Sequence, residues 1–339
     1  NPNPNPNPNP NPNPNPNPNP AAMAAFGEKD GFVPGQRVQD ADGYRGTVRY
    51  YGPVATSKNA NANWVGVEWD DATRGKHDGS VTTKDGEVVR YFTVPEGKKA
   101  SFLKPGKVDA GASFMEALGE RYVGMDAPLL APNNVFEGMY ANTNKEGGQK
   151  PIEFVGELNI RAHQQLAVLH KCTLRAQGIC RTHPRGGGGV NGAAAAEEEC
   201  KHYEEVDLQG NLFSSWDEVA TLCDALPQLR RLHLNANLLG DPAAAALPAL
   251  GASAFANLGV LVLNGCGVER WASVAALAAA APGLRELYLA GNAFGATMGA
   301  AADLAGENLE VLDLSECGVA DWAALGGVAR LPRLRVLTL

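Results

Sequence analysis

The sequence predicts a multidomain chain: a small mostly-β barrel, then an α/β repeat solenoid, behind a disordered leader. Three observations predict it. Residues 32–110 alternate short β-branched and aromatic runs with glycine turns and show little helical periodicity. From Tyr203 onward a leucine template recurs at nearly constant spacing. The first 20 residues are ten Asn-Pro pairs with no charge and no large apolar side chain. Proline removes a backbone donor and fixes φ, so such a run cannot build a core.

The leader is assigned to residues 1–31, with an internal start expected at Met23. In the barrel, 32–110, strands are expected at Gly46–Tyr51, Trp64–Trp69, Val88–Phe92 and Ser101–Leu103. Gly46, Gly52, Gly66, Gly75, Gly79 and Gly97 suit turns and close backbone approach. Residues 111–150 read as a linker. Residues 151–202 read as a degenerate repeat region with a flexible insertion at Gly186–Gly189 and Ala193–Ala196.

The repeats, 203–339, follow L-x-x-L-x-L-x-x-N/C. They run through Leu229, Leu232, Leu234 and Asn237, then Leu258, Leu261, Leu263 and Cys266. Leu284, Leu287, Leu289 and Asn292 follow, then Leu309, Leu312, Leu314 and Cys317. Val206, Leu208 and Asn211 form a weaker first copy, and successive Asn/Cys slots step by 26, 29, 26 and 25 residues. That is a leucine-rich-repeat period. Each copy is expected to form a short parallel strand, a turn and a returning helix. Cys266 and Cys317 are then structural. Ser215 and Glu218 predict a capping box for a helix running to Leu226. Pro227, Pro282 and Pro332 stop each helix two residues before the next leucine. Outward strand positions would line a concave, protein-binding face: Asp207, Gln209, Arg231, His233, Asn235, Val262, Asn264, Glu286, Tyr288 and Asp313. A last copy starts at Leu334, Leu337 and Leu339 and is cut off there, so the chain reads as a fragment.

Composition excludes several classes. With 44% hydrophobic and 19% charged residues most of the chain should be globular. No apolar run reaches the ~18 residues of a membrane span. Six scattered cysteines without a CxxC pair disfavour a zinc ribbon or a disulfide framework, and reduced cytosolic thiols are expected. His163, His170, His183 and His202 show no metal-ligand spacing, so no metal or other cofactor is expected. A net charge of −8 argues against nucleic-acid binding, yet Gly35–Val108 holds 12 Lys/Arg against 9 Asp/Glu, a net of +3. A basic module on an acidic chain suggests an acidic partner. No nucleophile–base pair or nucleotide loop is present, so the chain is not read as an enzyme.

The string Trp64-Val-Gly-Val-Glu-Trp-Asp-Asp, followed by Arg74-Gly-Lys-His-Asp-Gly-Ser80 and later by Tyr91-Phe92 and Ser101-Phe-Leu103, resembles the CAP-Gly family. The resemblance covers about 75 residues. It implies binding of acidic protein tails, such as that of α-tubulin, that end in Glu-Glu-Tyr or Phe. Site residues carried over on the motif are Trp64, Gly75, Lys76, His77, Asp78, Gly79, Phe102 and Lys104. Lys76 would supply the cation and His77 a donor, with Trp64 and Phe102 an aromatic slot and Lys104 a contact to glutamates. Asp78 would brace its own loop, and Trp69 and Phe92 are read as core. His77 stands where the family usually has Asn, and Thr56–Asn63 lacks an aromatic that many members carry; a weaker or, because His titrates near neutrality, a pH-dependent tail affinity is expected. Residues Thr82–Val88 lengthen one hairpin.

CAP-Gly followed by leucine-rich repeats, with a GKHDG loop and the string Val206-Asp-Leu-Gln-Gly-Asn-Leu-Phe-Ser-Ser-Trp-Asp-Glu-Val219, resembles the tubulin-folding cofactor E family. The resemblance implies a cytoplasmic, cytoskeleton-associated protein that binds α-tubulin, joins other tubulin-folding cofactors, and assembles or dissociates the αβ-heterodimer without an enzymatic step. That family also carries a ubiquitin-like domain not contained in these 339 residues. A microtubule-end adaptor is the alternative, although no sustained heptads accompany it.

Overall fold

The computed structural model describes residues 32–122, 135–142, 149–153, 169–184, 200–242, 255–299, 304 and 306–339. The leader at 1–31, His163 and the insertion at Gly186–Gly189 and Ala193–Ala196 lie outside them. The chain divides between Gly111 and Ala112 into two compact units.

The first unit runs β1 (Arg37–Asp40), β2 (Arg45–Pro53), β3 (Asn63–Trp69), β4 (Ser80–Thr82), β5 (Val88–Arg90), β6 (Ala100–Leu103) and β7 (Val108–Asp109). Five of these form an antiparallel sheet in the order β6-β3-β2-β1-β7, and β4 and β5 form a separate hairpin. Strand alternation divides β3. Val65, Val67 and Trp69 enter a core with Phe32, Val38, Val48, Val108 and Ala110. Trp64, Gly66 and Glu68 take the other face. The buried Trp69 indole donates to Ser101 Oγ at 3.0 Å, which satisfies its polar end. Arg37, only 2% exposed, is neutralised by Asp70 and donates to Thr47 Oγ1 at 2.9 Å.

The second unit opens where a linker was expected. β8 (Ala112–Ser113) leads into α1 (Phe114–Tyr122), and Phe114, Met115 and Leu118 are fully buried in the repeat core. Ser113 Oγ accepts from the Glu116 amide at 3.1 Å while Glu116 Oε2 accepts from the Ser113 amide at 2.8 Å. This is a closed capping box, written in the sequence as Ser-x-x-Glu. Farther along the same stretch, β9 (Val135–Asn142) pairs antiparallel with β10 (Gln149–Glu153).

The repeats follow as β11 (Lys171–Thr173), β12 (Ile179–Arg181), β13 (Glu205–Asp207), α2 (Trp216–Ala225), β14 (Arg231–His233), β15 (Val260–Val262), α3 (Trp271–Ala280), β16 (Glu286–Tyr288), β17 (Val311–Asp313) and β18 (Val336–Thr338). β12 pairs with β8. The others form a seven-stranded parallel sheet, β11-β13-β14-β15-β16-β17-β18, in unbroken register. Each strand is three residues long, and in the first six the middle residue faces inward: Cys172, Val206, Leu232, Leu261, Leu287 and Leu312 are all nearly fully buried, while Leu337 of β18 is exposed. β11 adds a copy ahead of the first one legible in the sequence.

The consensus slot holds the rungs together. Asn211 Nδ2 donates to the carbonyls of Leu174 and Leu208 at 2.7 and 2.9 Å, and its Oδ1 accepts from the amides of Gln177 and Ile179. Asn237 repeats the pattern on Leu208 and Leu234, and Asn292 on Leu263 and Leu289. In the cysteine copies the thiol takes one of these bonds. Cys266 Sγ lies 3.1 Å from the Leu234 carbonyl and Cys317 Sγ 3.1 Å from that of Leu289. Burial pushes the Cys266 thiol up to about 12, so it stays a donor and packs as a small hydrophobe.

Two local expectations change. Ser215 caps α2 by accepting from the Asp217 amide, but Glu218 leaves the expected box and accepts from the Thr182 amide at 2.9 Å. The buried Thr182 donor outbids the exposed cap position. After β17 the chain returns through 3₁₀ segments, Trp322–Gly326 and Val328–Arg330, instead of an α-helix.

Candidate ligand-binding cleft

In the first unit the loop Arg74–Ser80 crosses the end of β6. The amides of Lys76 and His77 both donate to the Ala100 carbonyl, at 2.9 and 3.1 Å, and the Ala100 amide donates back to His77 at 2.8 Å. The loop backbone is therefore spent on β6 and its side chains are released. Lys76 is exposed and His77 half-buried. Gly75 and Gly79 permit this path. A Cβ on Gly75 would press on the Lys99–Ala100 backbone. Gly79 has φ +90°, and a Cβ there would run into the Phe92 carbonyl.

An open cleft of about 700 Å³ is lined by Thr56, Lys76, His77, Asp78, Ser80, Val81, Thr82, Lys98 and Lys99. Three lysines face one carboxylate, and that carboxylate is occupied. Asp78 Oδ1 accepts from Ser80 Oγ at 2.5 Å and from its amide at 3.2 Å, while Oδ2 accepts from Arg90 at 2.7 Å. The Ser80 and Arg90 hydrogen bonds hold the Asp78 carboxyl well below the usual carboxylate range. It braces the loop, and the cleft presents net positive charge.

Aromatic rings cover the sheet beside it. Phe102 is ringed by Phe92, His77, Tyr91 and Tyr50, with centroids 5.6, 5.7, 5.5 and 6.2 Å away. Phe92, expected in the core, lies here, because Gly66 opposite Phe102 leaves room for its ring. Trp69 is core, as expected. Trp64 shares the face of β3 with Gly66. Among the described residues it is not a ring partner of Phe102, and its buried Nε1 has no hydrogen-bond partner. Lys104 is exposed at the far end of β6 and does not line the cleft. Lys98 and Lys99 line it instead, with Lys98 Nζ donating to the Asp70 carbonyl at 2.7 Å.

Lys98, Lys99 and Tyr50 were not named as site residues in the sequence, nor were Thr56, Val81 and Thr82 of the cleft wall, and Tyr91 entered only as a motif residue. Tyr50 sits opposite Gly66 and its ring centroid is 4.8 Å from that of Tyr91, while the Tyr91 hydroxyl accepts from the Ala55 amide at 2.7 Å. For Tyr50 the available signal was alternation along β2; Lys98 and Lys99 precede β6 and Tyr91 follows β5, outside any strand.

In the second unit the expected face positions separate into scaffold and surface. Asp207 is buried and paired with Arg175 at 2.5 Å. Asn235 Oδ1 accepts from the Asn264 amide at 3.2 Å, and Asn264 Oδ1 from the Ala290 amide at 2.9 Å, so both brace the next rung. Arg231 is exposed; His233, Glu286, Tyr288 and Asp313 are half-buried on the outer side of the sheet. The Tyr288 hydroxyl donates to Glu286 at 3.0 Å; desolvation, then this bond, raises its pKa.

No helix among the described residues is long and apolar enough to cross a membrane. Residues 34–108 match the CAP-Gly domain family. The chain is 36% identical over 308 residues to tubulin-specific chaperone E of Pongo abelii and 35% to that of Homo sapiens, in each case over 91% of this chain and 52% of the relative. Tubulin-folding cofactor E of Arabidopsis thaliana is 29% identical over 94% of this chain and 55% of its own length. Among solved structures the mouse RP105/MD-1 complex aligns at 17% identity and a TM-score of 0.35, over 51% of this chain and 30% of that one. The repeat fold rests on the strand ladder itself. The chain thus carries a CAP-Gly domain ahead of leucine-rich repeats and is similar over 91% of its length to tubulin-specific chaperone E, of which it spans about half.

Proposed function

We propose that this chain acts in tubulin folding. Its CAP-Gly cleft takes the acidic carboxy-terminal tail of α-tubulin, and the repeat face, through Arg231, His233, Glu286, Tyr288 and Asp313, meets the tubulin body. Together with other tubulin-folding cofactors it assists assembly or dissociation of the αβ-heterodimer in the cytoplasm, without an enzymatic step or a cofactor. The observation that carries this reading is the cationic cleft: Lys76, Lys98 and Lys99 surround a single carboxylate already committed to Ser80 and Arg90. A tail of glutamates ending in an aromatic residue complements both the lysines and the ring cluster around Phe102. Two weak contacts on one partner reinforce each other through effective concentration. The names of the relatives support the tubulin-folding role.

Binding of a labelled acidic peptide ending in Glu-Glu-Tyr tests the reading. Lys76→Ala should weaken it roughly fivefold or more, in keeping with the loss of a charge-assisted contact of about 1 kcal/mol. An unchanged Kd would remove the cleft from the account. A chain that binds soluble αβ-tubulin and fails to co-sediment with polymer fits a folding role; the reverse fits a microtubule-end adaptor.

A further inference from the structure

We propose that the β4–β5 hairpin is a positioning device for the cleft, acting through Arg90, which clamps Asp78 and thereby sets Lys76 and His77. The proposal rests on the reading of the cleft as an acidic-tail site.

The loop Arg74–Ser80 is held at both ends by an arginine and an aspartate. At its start, Arg74 pairs with Asp40 at the end of β1, reaches Asp42 at 2.9 Å, and lies 4.6 Å over the Tyr44 ring. This anchor belongs to the main sheet. At its end, Arg90 on β5 donates to the Asp78 carboxylate at 2.7 Å and to the Asp78 carbonyl at 3.1 Å. A guanidinium fork reads both acceptors at once, which a lysine cannot do. Tyr91, the next residue, donates from its amide to the Gly79 carbonyl at 3.0 Å. The end of β5 therefore grips two consecutive loop residues, just past the two whose side chains face the ligand.

The extra residues of this hairpin, Thr82–Val88, contribute nothing to the core of the first unit. Arg90 and Asp78 are 48% and 58% exposed, so their pair adds little to global stability. Its effect is local. Without the fork, Asp78 keeps only its bonds from Ser80, and the segment after His77 is tied to the end of the hairpin by the Gly79 carbonyl alone.

The test uses the full chain with two variants: Arg90→Ala, and Arg90→Ala combined with Asp78→Asn. The double variant keeps the net charge of the wild type and keeps an acceptor for the Ser80 amide; only the fork is lost. Peptide affinity, its salt dependence, thermal unfolding and amide exchange of Gly75–Ser80 are measured. For a positioning role, both variants bind the Glu-Glu-Tyr peptide roughly threefold to tenfold more weakly. Their loop amides exchange faster, their thermal midpoint is unchanged, and the double variant keeps the wild-type salt dependence. Wild-type affinity in the double variant would show that Arg90 only offsets the charge of Asp78, and overturns the proposal. A shallower salt dependence in the double variant would make Arg90 a direct ligand contact, and a lower thermal midpoint would make it a fold residue; either also overturns it. If the wild type binds no acidic peptide, the tail reading fails on its own. Loop exchange then still decides the clamp: faster exchange upholds it and unchanged exchange refutes it.

Discussion

The Arg74–Ser80 loop and the asparagine slots of the repeats both use polar side chains to fix backbone, in opposite surroundings. Asn211, Asn237 and Asn292 are at most 2% exposed, and their amides spend their capacity on neighbouring rungs. Asp78 and Arg90 do comparable bonding in water. A buried polar group that loses its partners costs its full desolvation, whereas an exposed one returns to solvent. Scaffold polar groups are therefore dry and saturated, while Lys76, the recognition group, is left exposed beside a braced neighbour.

The largest test of this contrast is Asn211→Ala. It strands the Leu174 carbonyl and the amides of Gln177 and Ile179, while the Leu208 carbonyl keeps its bond from Asn237, and it should destabilise the repeat unit by about 3 kcal/mol, seen as a lower urea midpoint. Peptide binding to the first unit should survive below that midpoint. Gly79→Ala inverts the pattern. The strain of a β-carbon at positive φ, about 1–3 kcal/mol, falls on the loop, so peptide affinity should drop roughly tenfold while repeat unfolding stays in place. Thiol reactivity gives the subtlest reading. With burial holding the Cys266 thiol up at about 12 and raising that of Cys317, both should resist a thiol reagent at pH 8 in the native state and react only on unfolding. Fast native labelling of either would contradict their role as slot donors.

Where one residue type at a fixed spacing does one job, the fold is legible from sequence, as in the leucine and Asn/Cys positions. β11 falls in the stretch read only as a degenerate repeat region, and its register was not legible because Cys172 and Gln177 stand where a leucine and an asparagine would have marked it. α1 was readable from the Ser113–Glu116 box, but the region around it carries no repeat. In the cleft, Lys76, His77 and Asp78 were legible as one contiguous motif. Lys98, Lys99, Tyr50 and Tyr91 were not, because they reach the site only when β2, β3 and β6 lie side by side. Asn235 shows the converse failure: alternation aims it outward, yet its Oδ1 turns to the next rung.

The central claim, that acidic-tail recognition lies in the first unit and the repeat ladder serves as scaffold for a second contact, is tested most directly by mapping where the peptide binds. The isotope-labelled full chain would be titrated with the Glu-Glu-Tyr peptide while backbone amide shifts are followed. The account predicts saturable shifts at Gly75–Ser80, at Lys98–Ala100 and around Phe102, with the repeat strands unmoved. Shifts concentrated on β13–β17, or none in the Arg74–Ser80 loop, would contradict it.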